Sequence, residues 1–79
     1  SLSLLKKRKP LTLKEQQELL VGSFPGIGPE TSRLLLKNFK SIKNLMNADE
    51  KQLKEVDKIG PKKALQILQI IEGLYKEKD

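Results

Sequence analysis

The chain has 79 residues, with 16 Lys and Arg against 10 Asp and Glu, and it contains neither cysteine nor histidine. This length supports one small domain of modest stability, burying about 60% of the surface its unfolded chain exposes. The composition excludes a disulfide framework, zinc centres built on thiolate or imidazole, and histidine-based catalysis. A net charge of +6 suits either a polyanionic partner, nucleic acid or an anionic membrane surface, or simple solvation of Lys-rich helices, and charge alone does not choose between them.

Ser1 to Leu5 is too short for the apolar part of a secretory signal and precedes the basic cluster instead of following it. No run approaches the roughly 20 apolar residues of a membrane span, which predicts an intracellular domain without a membrane. Lys6, Lys7, Arg8 and Lys9 make residues 1–11 a basic linker or arm, and 12–79 the folded domain. Thr12 followed three residues later by Glu15 has capping-box spacing and opens a helix to about Val21, with Leu13, Gln16, Leu19 and Leu20 predicted on its buried side. Gly22-Ser23 ends it. Phe24-Pro25-Gly26-Ile27-Gly28-Pro29 makes a tight connection, after which Ser32, Leu35, Leu36 and Phe39 recur at the spacing of a buried helical stripe. Ser41 is the next N-cap, for a short connector helix over about 42–47. Asp49 with Gln52 repeats the capping box and starts a helix ending near Val56. A last helix follows Pro61 through Ala64, Ile67, Leu68, Ile71, Leu74 and Tyr75. Nothing alternates at period two, so the fold class is all-α with five short helices.

The chain repeats itself. Gly28 and Gly60 lie 32 positions apart, and at that offset Phe24 meets Val56, Ile27 meets Ile59, Pro29 meets Pro61, Ser32 meets Ala64 and Leu35 meets Ile67. Each copy, about 13–39 and about 50–75, reads as helix, turn, helix, with proline at the first position of the second helix, where the missing N–H costs nothing. Two copies are too few for a solenoid, so a compact pseudo-twofold pair is predicted.

Gly26 and Gly28 remove two β-carbons from one face of the first turn, and the helix after Pro29 presents orphan N–H groups and the positive end of its dipole. This outlines a phosphate cradle, with Ile27 pointing inward as an anchor. The same residues would also serve a sharp helical corner with no ligand.

The stretch "LLVGSFPGIGPETSRLLLKNFKSIKNLMNADEKQLKEVDKIGPKKALQILQII" resembles the tandem helix-hairpin-helix domain of the XPF family of structure-specific DNA endonucleases, and is similar to the C-terminal domain of UvrC. The resemblance covers about Thr12 to Leu74, and the "KKRKPLTLKEQQ" lead-in is similar to the linker that joins this module to the family's nuclease domain. It implies that phosphates are held by Gly26, Ile27, Gly28 and the N–H groups of Glu30 and Thr31 in the first hairpin, and by Ile59, Gly60, Lys62 and Lys63 in the second. Arg33 and Lys37, four apart, flank the same track or form a solvated face balanced by Glu30. Lys58 stands where the pattern has the first hairpin glycine, so a reshaped second hairpin is expected, with Lys58 supplying charge as a flexible point contact. Lys40 stands where relatives often have a helix-closing glycine.

Phe24 and Phe39 are expected in the core, and Tyr75 in core or interface packing. The resemblance further implies a homodimer, formed through the apolar surplus on the last helix and on Leu34 to Leu36. It also implies branched or junction DNA as partner, duplex and single-stranded, and a nuclease domain N-terminal to this segment. Asp49, Glu50, Glu55 and Asp57 read as cap and solvent-face residues, so no catalytic residue, metal or cofactor is assigned to this chain; the parent nuclease domain would need Mg or Mn. The setting implied is chromosome-associated, in a nucleoid or nucleus. Two functions follow: a sequence-independent, structure-selective DNA-binding module, or a protein-interaction and dimerisation module with purely structural hairpins.

Overall fold

A computed structural model describes residues 10–78. The basic run Lys6 to Lys9 lies outside the described residues. Five helices follow in order: α1 (Leu13–Gly22), α2 (Pro29–Phe39), α3 (Ile42–Met46), α4 (Glu50–Lys54) and α5 (Pro61–Glu72). The described residues contain no strand, and no helix among them is long and apolar enough to cross a membrane.

Local chemistry sets each start. The Thr12 hydroxyl accepts from the Glu15 N–H at 3.1 Å while the Glu15 carboxylate accepts from the Thr12 N–H at 2.9 Å, a complete capping box. Ser41 caps α3 through the Asn44 N–H, and Asp49 with Gln52 forms a second complete box at α4. Helices α2 and α5 instead begin with proline after Gly28 and Gly60, and neither has a side-chain cap.

The 32-residue repeat is the organising symmetry. Val21 and Leu53, Phe24 and Val56, Ile27 and Ile59, Ser32 and Ala64, Leu35 and Ile67 are five buried pairs at that offset, and Leu45 and Ala48 from the connector region complete the core. Helix α1 packs on α2, α4 packs on α5, and α3 joins the two hairpins. The turns match bond for bond: the Ile27 N–H donates to Phe24 O and the Ile59 N–H to Val56 O, both at 3.1 Å.

Three expectations about packing change. Leu13, Leu19 and Leu20 are not the buried side of α1: Leu13 is 70% and Leu19 62% exposed, and Gln16 turns outward to donate to the Leu11 carbonyl. Helix α1 docks through Val21 and the half-buried Gln17 and Glu18, one turn apart, onto α2 at Ser32. There the Ser32 hydroxyl donates to the Glu18 carbonyl at 2.8 Å. Helix α5 stops at Glu72, so Leu74 and Tyr75 leave the helix and are 86% and 90% exposed. Gly73 permits this: its backbone turns extended, and a β-carbon there would lie 2.6 Å from the Gln69 carbonyl oxygen. Helix α4 likewise ends at Lys54, short of Val56.

Candidate nucleic-acid interface

The two hairpins superpose at the level of the backbone. Gly28 and Gly60 both adopt φ −93°, ψ −175°, and a β-carbon at either would meet nothing within 4 Å. Gly26 has φ 74° and its counterpart Lys58 has φ 71°. The second hairpin is therefore not reshaped: the buried pair Val56 and Ile59 fixes the turn, and Lys58 accepts a left-handed conformation that strains an L-residue. Lys40 does the same at the end of α2, with φ 74° and its N–H donating to Leu36 O at 2.8 Å.

Ile27 and Ile59 are buried anchors, and their N–H groups are engaged inside the turns. The first helical bonds run from the Ser32 N–H to Gly28 O and from the Ala64 N–H to Gly60 O, at 2.9 and 3.0 Å. Helix geometry thus leaves the N–H groups of Glu30 and Thr31, and of Lys62 and Lys63, without intrahelical acceptors. No side chain takes them from Gly28 or Gly60, in contrast to the three capped helices. Exposed, neutral backbone with aligned donors and a positive dipole end suits an anion that lies against the hairpin.

The side chains are arranged unequally. Gly28, Gly60, Glu30, Lys58 and Lys62 are exposed, Thr31 is buried and Lys63 is half-buried. The first hairpin lies against α5: a β-carbon at Gly26 would sit 3.8 Å from Lys63 Cε. In the reciprocal contact, the Lys58 ammonium donates to the Glu30 carboxylate at the start of α2. That hydrogen bond, reinforced by the charge attraction, holds Glu30 below the ordinary carboxylate range and pushes Lys58 up. Lys58 therefore bridges the hairpins instead of standing as a free point charge. Twenty-eight residues separate the partners, so no local spacing announces them. Arg33 is close enough to Glu30 to help hold its carboxylate low, and together with Lys37, Lys14 and Lys40, the last two of which sequence reasoning did not group with them, it lines a cleft between α1 and α2.

The comparisons agree with this geometry. Residues 17–72 match the model of the SAM-like helix-hairpin-helix tandem family. XPF from Aeropyrum pernix superposes with a TM-score of 0.81 and 33% identity, over 89% of this chain and 33% of that one. The same protein in complex with DNA gives 0.80 and 32%, over 92% and 36%. UvrABC system protein C of a Synechococcus strain is 40% identical over 66% of this chain, and a Methanocaldococcus jannaschii protein named for ATP-dependent RNA helicase activity is 35% identical over 82%. The chain spans about 8% of the length of each of these two curated relatives. With two hairpins on one pseudo-twofold scaffold and a family match across both, the chain belongs to the SAM-like helix-hairpin-helix tandem family, in the form found in XPF and UvrC.

Proposed function

We propose that the chain is a non-catalytic DNA-binding module that grips phosphate backbone with its two hairpins, without reading base sequence. The observation that carries this is the pair of uncapped, proline-led helix starts behind Gly28 and Gly60, identical in backbone angles and open to solvent. Amides facing phosphates position a nucleic acid and carry no base information. The DNA-bound relative of the same fold supports the choice of DNA. On this reading the phosphate contacts come from Gly26, Gly28, Glu30 and Thr31 in one hairpin and from Gly60, Lys62 and Lys63 in the other. The module docks a separate, Mg- or Mn-dependent XPF-type nuclease domain on branched, 3′-flap or junction DNA, and does so as a homodimer.

A second reading, a dimerisation module with structural hairpins, is favoured by the leucines that α1 leaves uncovered, among them Leu13, Leu19 and Leu20. The two separate in one titration. Fluorescence anisotropy of a splayed-arm DNA should show affinity falling with salt, two lysines of the hairpins, Lys62 and Lys63, contributing a log–log slope of about −1.8. Gly28→Glu, whose β-carbon has open space, should stay folded by circular dichroism and lose most of the affinity. Equal binding by the folded variant, or no binding by the parent chain, would leave the hairpins as corners.

A further inference from the structure

The positive charge of the first motif extends beyond its hairpin along α2, from Arg33 to Lys40. An open cleft of about 190 Å³ between α1 and α2 is lined by Lys14, Gln17, Arg33, Leu36, Lys37 and Lys40, with Glu18 as its one carboxylate. Glu18 lies 3.2 Å from Lys14, so the charge left over comes from the α2 side. At about 1.5 Å of rise per residue, Lys37 and Lys40 lie roughly 13 and 18 Å beyond Gly28 along the helix. That is too far to share the phosphates seated on the hairpin.

The duplication shows that the scaffold does not require these cations. At the 32-residue offset, Arg33 corresponds to Leu65, Lys37 to Gln69 and Lys40 to Glu72, yet both motifs fold to the same corner. Lys40 also occupies a left-handed position where glycine would be less strained. A cation is thus present where the fold neither needs the charge nor favours the side chain.

We propose that this cleft is a second nucleic-acid contact, a phosphodiester-backbone site separate from the hairpins. It rests on the DNA-binding reading above and extends it to a second stretch of strand. Arg33 offers a planar fork that matches phosphate oxygens, while Lys37, one turn on, and Lys40 serve as mobile point charges. Leu36 and the aliphatic lysine stems form the floor. Together the hairpins and the cleft run the length of α2, so the module contacts more backbone than two hairpins alone.

The test titrates splayed-arm DNA with the whole chain, Lys37→Gln/Lys40→Gln, Arg33→Gln and Gly28→Glu, each checked by circular dichroism, across a salt series. At physiological salt the double variant should bind about tenfold more weakly, with a log–log slope shallower by about 1.8, and Arg33→Gln shallower by about 0.9. Wild-type affinity and slope in the folded cleft variants, with Gly28→Glu impaired, would overturn the cleft and leave the hairpin reading standing. No DNA binding by the parent chain would overturn both. Capture of poly-glutamate that the cleft variants abolish, with DNA binding unchanged, would also overturn it in favour of an acidic protein partner.

Discussion

Lys40 offers a test of backbone strain that is free of competing contacts. It closes α2 at φ 74°, and the contact made there is a main-chain one, from its N–H to the Leu36 carbonyl, which glycine would keep. A left-handed L-residue costs about 1–2 kcal/mol, and glycine returns about 0.4–1 kcal/mol of that through the greater freedom of the unfolded chain. Lys40→Gly should therefore stabilise by about 0.5–1 kcal/mol. For a domain of this size that raises Tm by about 3–6 °C. Lys40→Ala keeps the β-carbon and with it the strain, so it should gain almost nothing. Thermal melts followed at 222 nm, with urea midpoints as a check, read both variants. If Lys40→Gly melts at or below the parent, or if Lys40→Ala gains as much, the left-handed cap is not a source of strain. The same variant should bind DNA more weakly while melting higher, separating the loss of a cation from any loss of fold.

Three further outcomes follow from the geometry. In an NMR titration the Glu30 carboxyl should protonate below the ordinary glutamate range and return towards it in Lys58→Ala; because its folded pKa is depressed, the pair's contribution is present above the unfolded value and lost as pH falls through the folded one. Ser32→Ala, which removes the hydroxyl bound to Glu18 O, should cost about 1 kcal/mol in urea unfolding, whereas Ala64→Ser should cost less than the usual 1–3 kcal/mol for a buried hydroxyl, because the offset places Glu50 O where Glu18 O stands. Gly73→Ala should relieve its clash with Gln69 O by letting α5 continue, shifting the Leu74 and Tyr75 Cα resonances towards helical values; unchanged shifts would count against glycine as the stop.

What was legible in the sequence was legible because it is local. Thr12 with Glu15, Ser41, and Asp49 with Gln52 place helix starts through bonds spanning three residues, and proline after each hairpin glycine fixes the other two. The core of the repeat follows from apolar residues matching at one offset. Misreading began where the decisive contact is small or distant. The leucines of α1 outweighed the buried Val21 and the Ser32 hydrogen bond to the Glu18 carbonyl that in fact seat the helix. The apolar stripe of α5 ran on past Gly73 because the turn of its backbone to an extended conformation leaves no trace in periodicity. At Lys58, a rule about positive φ suggested a changed turn, but the buried Val56 and Ile59 outweigh one strained residue.

The duplication also says which properties of the hairpins are fixed by geometry. Positions that set the turn and the core keep their character across the offset: glycine at 28 and 60, isoleucine at 27 and 59, proline at 29 and 61. Positions whose side chains border the open amides do not, for Gly26 becomes Lys58, Glu30 becomes Lys62 and Thr31 becomes Lys63. A backbone cradle is thereby preserved twice while the charge around it diverges. Because Lys58 is held by Glu30, the first hairpin carries a carboxylate beside its amides, and Lys62 and Lys63 supply the charge at the second. Two prongs of one shape and different charge should differ in salt dependence, the first holding phosphate mainly through backbone dipoles and the second adding counterion release. On the proposed function, that inequality would give the module a direction along DNA even without base readout.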